Sequence, residues 1–270
     1  MTTTLISLHR LRTLQLCWLA ITLCLSASIH AQTLDIYTED WPPVSYANAG
    51  KAEGMAVEVV QALQARLGSS QPIQVVPWAR GYKAVLEEPN VMLFTMGRSE
   101  EREKLVVMLG PIAISNTALF TRKGNAVVLR RLLGNDLRKY TVGAYRSSIF
   151  ADTARKKGYL NIDQAATPHV IANMLLAKRF DLWVEGSLVV PSILKEIGHA
   201  PDEVEQVLVL DSLELYLAFS KKTPSSIIKA WEDALRWLKK EGTYAKIHQK
   251  WLPNDTPPMD VIRLGTSDLP

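Results

Sequence analysis

Two arginines spaced four apart, Arg98 and Arg102, follow an apolar run and a small-residue turn in residues 91–104, VMLFTMGRSEEREK. A guanidinium presents parallel N–H donors that match a carboxylate, so an arginine just past a strand's carboxyl end is equipped to grip an anionic solute. Thr95 and Gly97 in the turn let a ligand approach the backbone closely. On a solvated helix face the same arginines would only pair with Glu101 or Glu103, and such pairs contribute little. Trp41 and Tyr46 lie in a loop, TEDWPPVSY, that two prolines keep out of regular pairing. There they can stack on a ligand or cap the edge of the core. Trp78 and Arg80 follow the apolar residues 73–76 and fall at the end of another strand, where Trp78 serves equally as a core residue.

Other chemistries find little support. None of the five histidines, His9, His30, His169, His199 and His248, stands at metal-ligand spacing from another on one helix. Nucleophile elbows, P-loops and dinucleotide fingerprints are absent from the sequence. No metal and no cofactor are therefore expected, and enzyme chemistry is not expected either.

The elements that must hold these residues alternate strand and helix. A short strand at residues 34–37 precedes the Trp41 loop. Gly54 precedes a helix with Val57, Val60, Leu63 and Leu67 at helical spacing, closed by Gly68. Strand 73–76 leads through Pro77 into another helix. The run at 91–94 reads as a buried parallel strand. Residues 105–108 and 117–122 are extended, and Lys123-Gly124-Asn125 marks a turn. Alternation then restarts: strand 140–144, helix 149–157, strand 161–164, helix 168–178, strand 181–184, a helix through Ile193, and strand 207–210. The extended run 213–220 follows, then a helix at 224–240 with Ile227, Trp231, Leu235 and Leu238 on one face, and a last helical piece at 244–251. Two rounds of alternation predict two α/β lobes with crossover helices, joined by extended strands near 117–122 and 213–220.

The chain opens with the order of a secretory signal peptide: Arg10 and Arg12, an apolar stretch at 14–25, and a small-residue exit at 26–31. Cleavage after Ala31 and a periplasmic location are expected. Cys24 follows Leu23, so no lipoprotein acceptor is expected. Both cysteines, Cys17 and Cys24, fall within that leader, so the mature chain relies on its apolar core and not on disulfides. Loss of Arg10 and Arg12 takes the formal charge from +4 to +2, which predicts neither nucleic-acid nor membrane binding. The expected boundaries are a leader at 1–31, a discontinuous first lobe at 32–121 and 214–252, a second lobe at 122–213, and a loose tail at 253–270.

Asp40-Trp41-Pro42-Pro43 with Tyr46, the Gly54 helix start, the R-S-E-E-R-E segment followed by Gly110-Pro111, Val142-Gly143, Arg179-Phe180-Asp181 and the closing EGTYAKIHQKW together resemble the extracytoplasmic solute-binding protein family 3 of polar amino acid ABC transporters. The likeness covers about residues 34–252. It implies a periplasmic-binding-protein-like α/β fold, two lobes on a two-strand hinge, a small-molecule ligand in the cleft, and a monomer serving ABC transporter membrane subunits. By this resemblance Arg102 clamps the ligand's α-carboxylate, Thr95 and Gly97 add hydrogen bonds to it, and Trp41 lies over the ligand. Ser147 and Ser148 match a helix N-terminus that favours an anion.

The chain departs from that pattern where the family places an aspartate for the α-ammonium, because Gly186 stands there. Strand alternation points the neighbouring Glu185 to the other face unless the turn has begun. The expectation is that Glu185 does not supply an ammonium site, and that carboxylates lacking an amine bind at least as well as amino acids. Arg80, Arg98 and Arg146 add positive charge to the expected cleft. Two other readings stay open: a dehydratase acting on cyclohexadienyl acids such as prephenate or arogenate, with Glu185 as its acid, and a ligand sensor for a separate signalling protein.

Overall fold

The computed structural model describes residues 34–131, 137–253 and 255–266. The leader expected at 1–31 lies outside them.

The first lobe grows around a parallel trio of strands. β1 (Asp35–Thr38) leads into the Trp41 loop and a two-stranded ribbon, β2 (Tyr46–Asn48) and β3 (Lys51–Glu53). Helix α1 (Met55–Leu67) follows, with Met55, Val59, Val60 and Leu63 buried on one face and Gly68 closing it at φ 65. β4 (Ile73–Val75) and β5 (Val91–Gly97) flank β1 in the order β4-β1-β5, and α2 (Trp78–Glu87) crosses between them. All seven residues of β5 are buried, as a central strand covered on both faces requires. This strand runs to Gly97, three residues past the apolar run. A one-turn helix, α3 (Glu100–Glu103), is capped by the Ser99 hydroxyl.

Two long strands then carry the chain between lobes. β6 (Val106–Arg122) and β10 (Val204–Ser220) have 17 residues each and pair antiparallel along their length. The sequence reads each as two shorter runs, 105–108 and 117–122 in β6 and 207–210 and 213–220 in β10. In the fold the pairing continues between the runs, with register shifts at Val209/Asp211 and Leu215/Leu217. Leu215 pairs with Ala113 and Leu217 with Leu109, so residues 110–112 bulge opposite Tyr216, where a proline without an N–H is tolerated. β10 pairs with β5 at one end, and residues 117–120 of β6 pair with the second lobe at the other.

The second lobe repeats the pattern. Helix α4 (Ala126–Arg131), β7 (Val142–Tyr145), α5 (Ile149–Lys156), β8 (Ile162–Ala165), α6 (Pro168–Leu176), β9 (Leu182–Gly186) and α7 (Val190–Glu196) follow in order. β8 and β9 lie parallel on either side of β7, and β9 joins β6 antiparallel. The sheet thus reads β4-β1-β5-β10-β6-β9-β7-β8. The chain returns through α8 (Ser225–Lys240), which buries Ile228, Trp231, Leu235 and Leu238, and α9 (Thr243–Trp251).

The tail is not loose throughout. β11 (Ile262–Leu264) pairs with β6 at Gly110, Leu109 and Met108 and covers an edge. Lys239, at 3% exposure, donates to the carbonyls of Pro111, Pro258 and Asp260 at 2.6–2.7 Å. Composition alone shows a polar, proline-rich segment. The partner that orders it is a lysine on a helix nearly twenty residues earlier.

One glycine fixes the loop that matters for the cleft. Gly54 has φ 124, and an added Cβ would lie 2.5 Å from the Val44 carbonyl oxygen. That close approach lets the first amides of α1 donate to Pro43 and Val44 at 3.1 and 2.8 Å, holding the Trp41 loop against the helix start. Gly54→Ala therefore meets both backbone strain and a backbone clash. It is expected to lower the unfolding free energy by about 2–4 kcal/mol in urea titrations. An unchanged midpoint would show that the loop is not held this way.

Candidate functional site

The carboxyl ends of β1, β5 and β7 converge, and the loops that leave them enclose a cavity of about 10 Å³, room for about one water. Glu39 and Trp41 come from the loop after β1, and Thr95 and Gly97 from the end of β5. Arg102 comes from α3, Trp78 from the start of α2, and Tyr145, Ile149 and Phe150 from the second lobe. Ligands bind at strand carboxyl ends in open α/β sheets because side chains from several loops meet there.

Arg102 is 6% exposed. Its guanidinium lies 4.8 Å from the Trp78 ring centre and 5.3 Å from that of Tyr82, and Nη1 donates to the Gly97 carbonyl at 3.0 Å. Those rings accept the flat cation on its faces and leave its in-plane donors for other partners. Thr95 is placed by local strain. It bulges from β5 opposite the register shift at Tyr216/Leu217 with φ 65, an unusual value for a β-branched residue. Its hydroxyl donates to the Phe94 carbonyl at 2.6 Å and lies 3.3 Å from the Thr38 hydroxyl. Thr38 donates to Ser45, which donates to the Glu39 carbonyl. This row of buried hydroxyls ties β5 to the loop bearing Glu39.

Two carboxyl groups are buried here. Burial pushes Glu39 up to about 8, against the opposing pull of Arg102, and Tyr145 hydrogen-bonds to it. Glu185 is also pushed to about 8 by burial, helped by the charge of Glu39 and opposed by the Gly186 amide. Glu185 Oε1 accepts from that amide at 2.9 Å and from Trp41 Nε1 at 3.5 Å, while Oε2 is buried without a partner. Glu185 thus reaches the Trp41 side although it lies within β9, paired with Ala118, because its carboxyl folds back onto the amide of the next residue, Gly186. Gly186 is filled from across the cleft: a Cβ there would lie 2.6 Å from the Trp41 ring, so no aspartate fits.

Several contacts bridge the lobes. Trp41 stacks on Phe150 with ring centres 6.1 Å apart, and Trp78 Nε1 donates to the Ser147 carbonyl at 3.1 Å. Lys156 pairs with Glu101 at 2.8 Å. A Cβ on Gly97 would meet Leu213 and Ile149 at 2.7 and 3.1 Å, so glycine lets the second lobe close onto β5.

Of the residues expected from sequence, Trp41, Trp78, Thr95, Gly97 and Arg102 line the cavity, and Glu185 lies behind Trp41. Ser148 is buried, but its hydroxyl caps α5 by accepting from the Ala151 amide and donates to the Tyr145 carbonyl. Arg146 and Ser147 are exposed and line an outer recess of about 580 Å³ at the mouth. Three residues fall elsewhere. Tyr46 donates to Glu53 at 3.3 Å and meets the edge of Trp251; Arg80 is exposed on α2; Arg98 pairs with Glu103 and Glu214 at 2.6 and 3.1 Å. Glu39, Tyr145 and Phe150 were missed. Glu39 directly follows β1, and the rule that placed Arg102 at a strand end applies to it equally. Among the described residues no group of three or more His, Cys, Asp or Glu side chains is placed to hold a metal ion, and no helix is long and apolar enough to cross a membrane.

The family model for bacterial extracellular solute-binding proteins, family 3, matches residues 35–254. No curated protein matches the sequence. Among solved structures, a histidine kinase sensor domain with similarity to periplasmic binding proteins is 21% identical at a TM-score of 0.72, with 85% of this chain and 100% of that chain covered. An ancestral arginine-binding protein bound to arginine is 24% identical at 0.69, covering 82% and 98%. A substrate-binding protein of an ABC uptake transporter from Streptococcus pneumoniae with bound histidine is 18% identical at 0.71, covering 84% and 95%. At these identities the likenesses establish the two-lobed fold.

The buried carboxyls make stability depend on pH. A glutamate in the unfolded chain titrates near 4.3, whereas Glu39 and Glu185 hold their protons to about 8 in the folded protein. Between pH 5 and 7 the folded state therefore binds more protons than the unfolded chain, and stability falls as pH rises. The slope is at most about 1.4 kcal/mol per pH unit for each group. Urea unfolding across that range is expected to show this decline, and Glu39→Gln or Glu185→Gln to flatten it. A slope unchanged in both variants would mean that neither carboxyl is neutral in the folded protein.

Proposed function

The chain belongs to the bacterial extracellular solute-binding proteins, family 3, and from that membership we propose that it captures a small polar solute bearing a carboxylate by closing its lobes over Arg102. The observation that carries the proposal is the state of Arg102. It is buried at the meeting of the lobes, stacked on Trp78 and Tyr82, and bonded to a backbone carbonyl, with no ion pair to a carboxylate among the described residues. A buried guanidinium with spare donors is costly unless an anion completes it.

The cavity between the closed lobes holds about one water, so a solute enters when the lobes part. The crossing where β6 and β10 pass between lobes, around residues 113–116 and 212–215, is the place for that motion. The pairing of residues 117–120 with β9 supports a lobe boundary a few residues before position 121. Trp41–Phe150, Trp78–Ser147 and Lys156–Glu101 are the contacts that closing makes and opening breaks. Family membership supports the rest of the proposed role. The chain is exported by its leader, works in the periplasm as a monomer, and hands its solute to the membrane subunits of an ABC importer. It performs no chemistry on the solute.

A thermal-shift screen of amino acids, organic acids and short peptides finds the solute, since specific binding raises the melting temperature by mass action. Calorimetry of Arg102→Ala against the tightest carboxylate found is expected to show a loss of about 2–5 kcal/mol. The solute should be recovered chemically unchanged. Full affinity in the variant, or conversion of the solute, would overturn the proposal.

A further inference from the structure

Arg102 rides on α3, a helix of one turn, and four residues do not hold helical shape by themselves in water. Contacts from outside must fix it. Ser99 caps its first end. The tail meets its other end. Gly265 follows β11 at φ 73, and an added Cβ would run into the Val106 carbonyl and lie 2.9 Å from the carbonyl oxygen of Glu103, the last residue of α3. The same segment supports the rings beneath the guanidinium. Leu264 pairs with Met108 and packs against the apolar cluster that contains Trp78, Met96 and Met108, and Tyr82 packs against that cluster too. Trp78 and Tyr82 are the two rings on which Arg102 lies. Lys239 delivers the tail to this place by holding the carbonyls of Pro258 and Asp260 at 2.6 and 2.7 Å, just before β11 begins. Residues 262–265 lie beyond the segment that the family model matches, which ends at 254.

We propose that residues 262–265 are a positioning strap for Arg102: Leu264 backs the aromatic platform under the guanidinium, and Gly265 stops the carboxyl end of α3. The proposal rests on the capture role given to Arg102 above and adds what holds that side chain in place. Leu264 and Gly265 are positioning residues that act through Arg102, Trp78 and Tyr82. A guanidinium grips a carboxylate through a rigid fork of donors, so its aim matters as much as its charge. When the lobes part, Tyr145, Ile149 and Phe150 leave with the second lobe. β11 pairs with β6 at residues 108–110, on the first-lobe side of the crossing, so the strap stays with Arg102. The open cleft then presents a fork that is already aimed, and binding does not have to order it.

Four variants of the mature protein test this without any solute. Gly265→Ala meets the backbone in front of it, and Leu264→Ala removes the packing while Leu264→Met keeps it. Ile262→Ala trims a side chain of the same strand that is 40% exposed. Hydrogen exchange is followed on α3 and, for comparison, on α5 of the second lobe, together with the Arg102 side-chain NMR resonances, which the two rings shift. The α3 amides that report are those of Arg102, Glu103 and Leu105, which donate to Ser99 Oγ, to the Ser99 carbonyl and to the Arg102 carbonyl. In Gly265→Ala and Leu264→Ala these amides are expected to exchange about tenfold faster or more, with α5 changed by less than about twofold. The Arg102 resonances should move towards those of free arginine in the same two variants. Leu264→Met and Ile262→Ala should match the native protein. Native exchange and native Arg102 resonances in Gly265→Ala and Leu264→Ala would overturn the strap, as would equal acceleration of α3 and α5. Neither result touches carboxylate capture, which is judged by the affinity of Arg102→Ala. Full affinity in that variant would overturn capture and leave the exchange result standing.

Discussion

A guanidinium held away from water next to carboxyls that burial keeps neutral is the condition around which this cleft is built. Arg102 is not neutralised by an ion pair. It is made tolerable by two aromatic faces, a backbone carbonyl and the attraction of Glu39. Each of those partners comes from a different stretch of chain: α2, the end of β5, and the loop after β1. The surrounding residues exclude water, which strengthens every charge interaction inside and raises the cost of leaving one unmatched.

That condition depends on both lobes at once. Glu185, Tyr145, Ile149 and Phe150 come from the second lobe, and without them the Arg102 side of the cleft would be open to solvent. β6 and β10 make the meeting possible, since they are shared by both halves of the sheet. Their register shifts let two long strands bend without losing their pairing over 17 residues. On the outside of the same strand, β11 and Lys239 bind the tail to the region around Gly110 and Pro111, so the segment after the last helix stabilises the strand that links the lobes.

Small residues in the cleft mark where the other lobe arrives. Gly97 receives Ile149, and Gly186 receives the edge of Trp41. At both places a Cβ would hold the lobes apart. The same argument explains the departure at Gly186, where the space of an aspartate is occupied by the indole and the carboxyl stands one residue earlier.

What the sequence determined by itself was local. The unbroken apolar run of β5, the periodicity of α1 and α8, Gly68 as a left-handed stop and Pro77 as a helix entrance are written within a few residues of each other, and each element formed there. The placement of Arg102, Thr95 and Gly97 at a strand's end was readable for the same reason, because strand, turn and helix follow in one segment. Other decisions needed the folded molecule. Residues 105–108 and 117–122, and likewise 207–210 and 213–220, read as separate runs until a long antiparallel partner joins them through bulges. The tail looks loose until Lys239 captures its carbonyls. Arg80, Arg98 and Tyr46 have the right types for a ligand, but the helix face or carboxylate each meets takes it elsewhere. Glu39 and Glu185 carry no sequence mark of burial. Their chemistry arises only when two lobes close and remove the water between them, and desolvation is a property of the assembled surface that no neighbouring residue encodes.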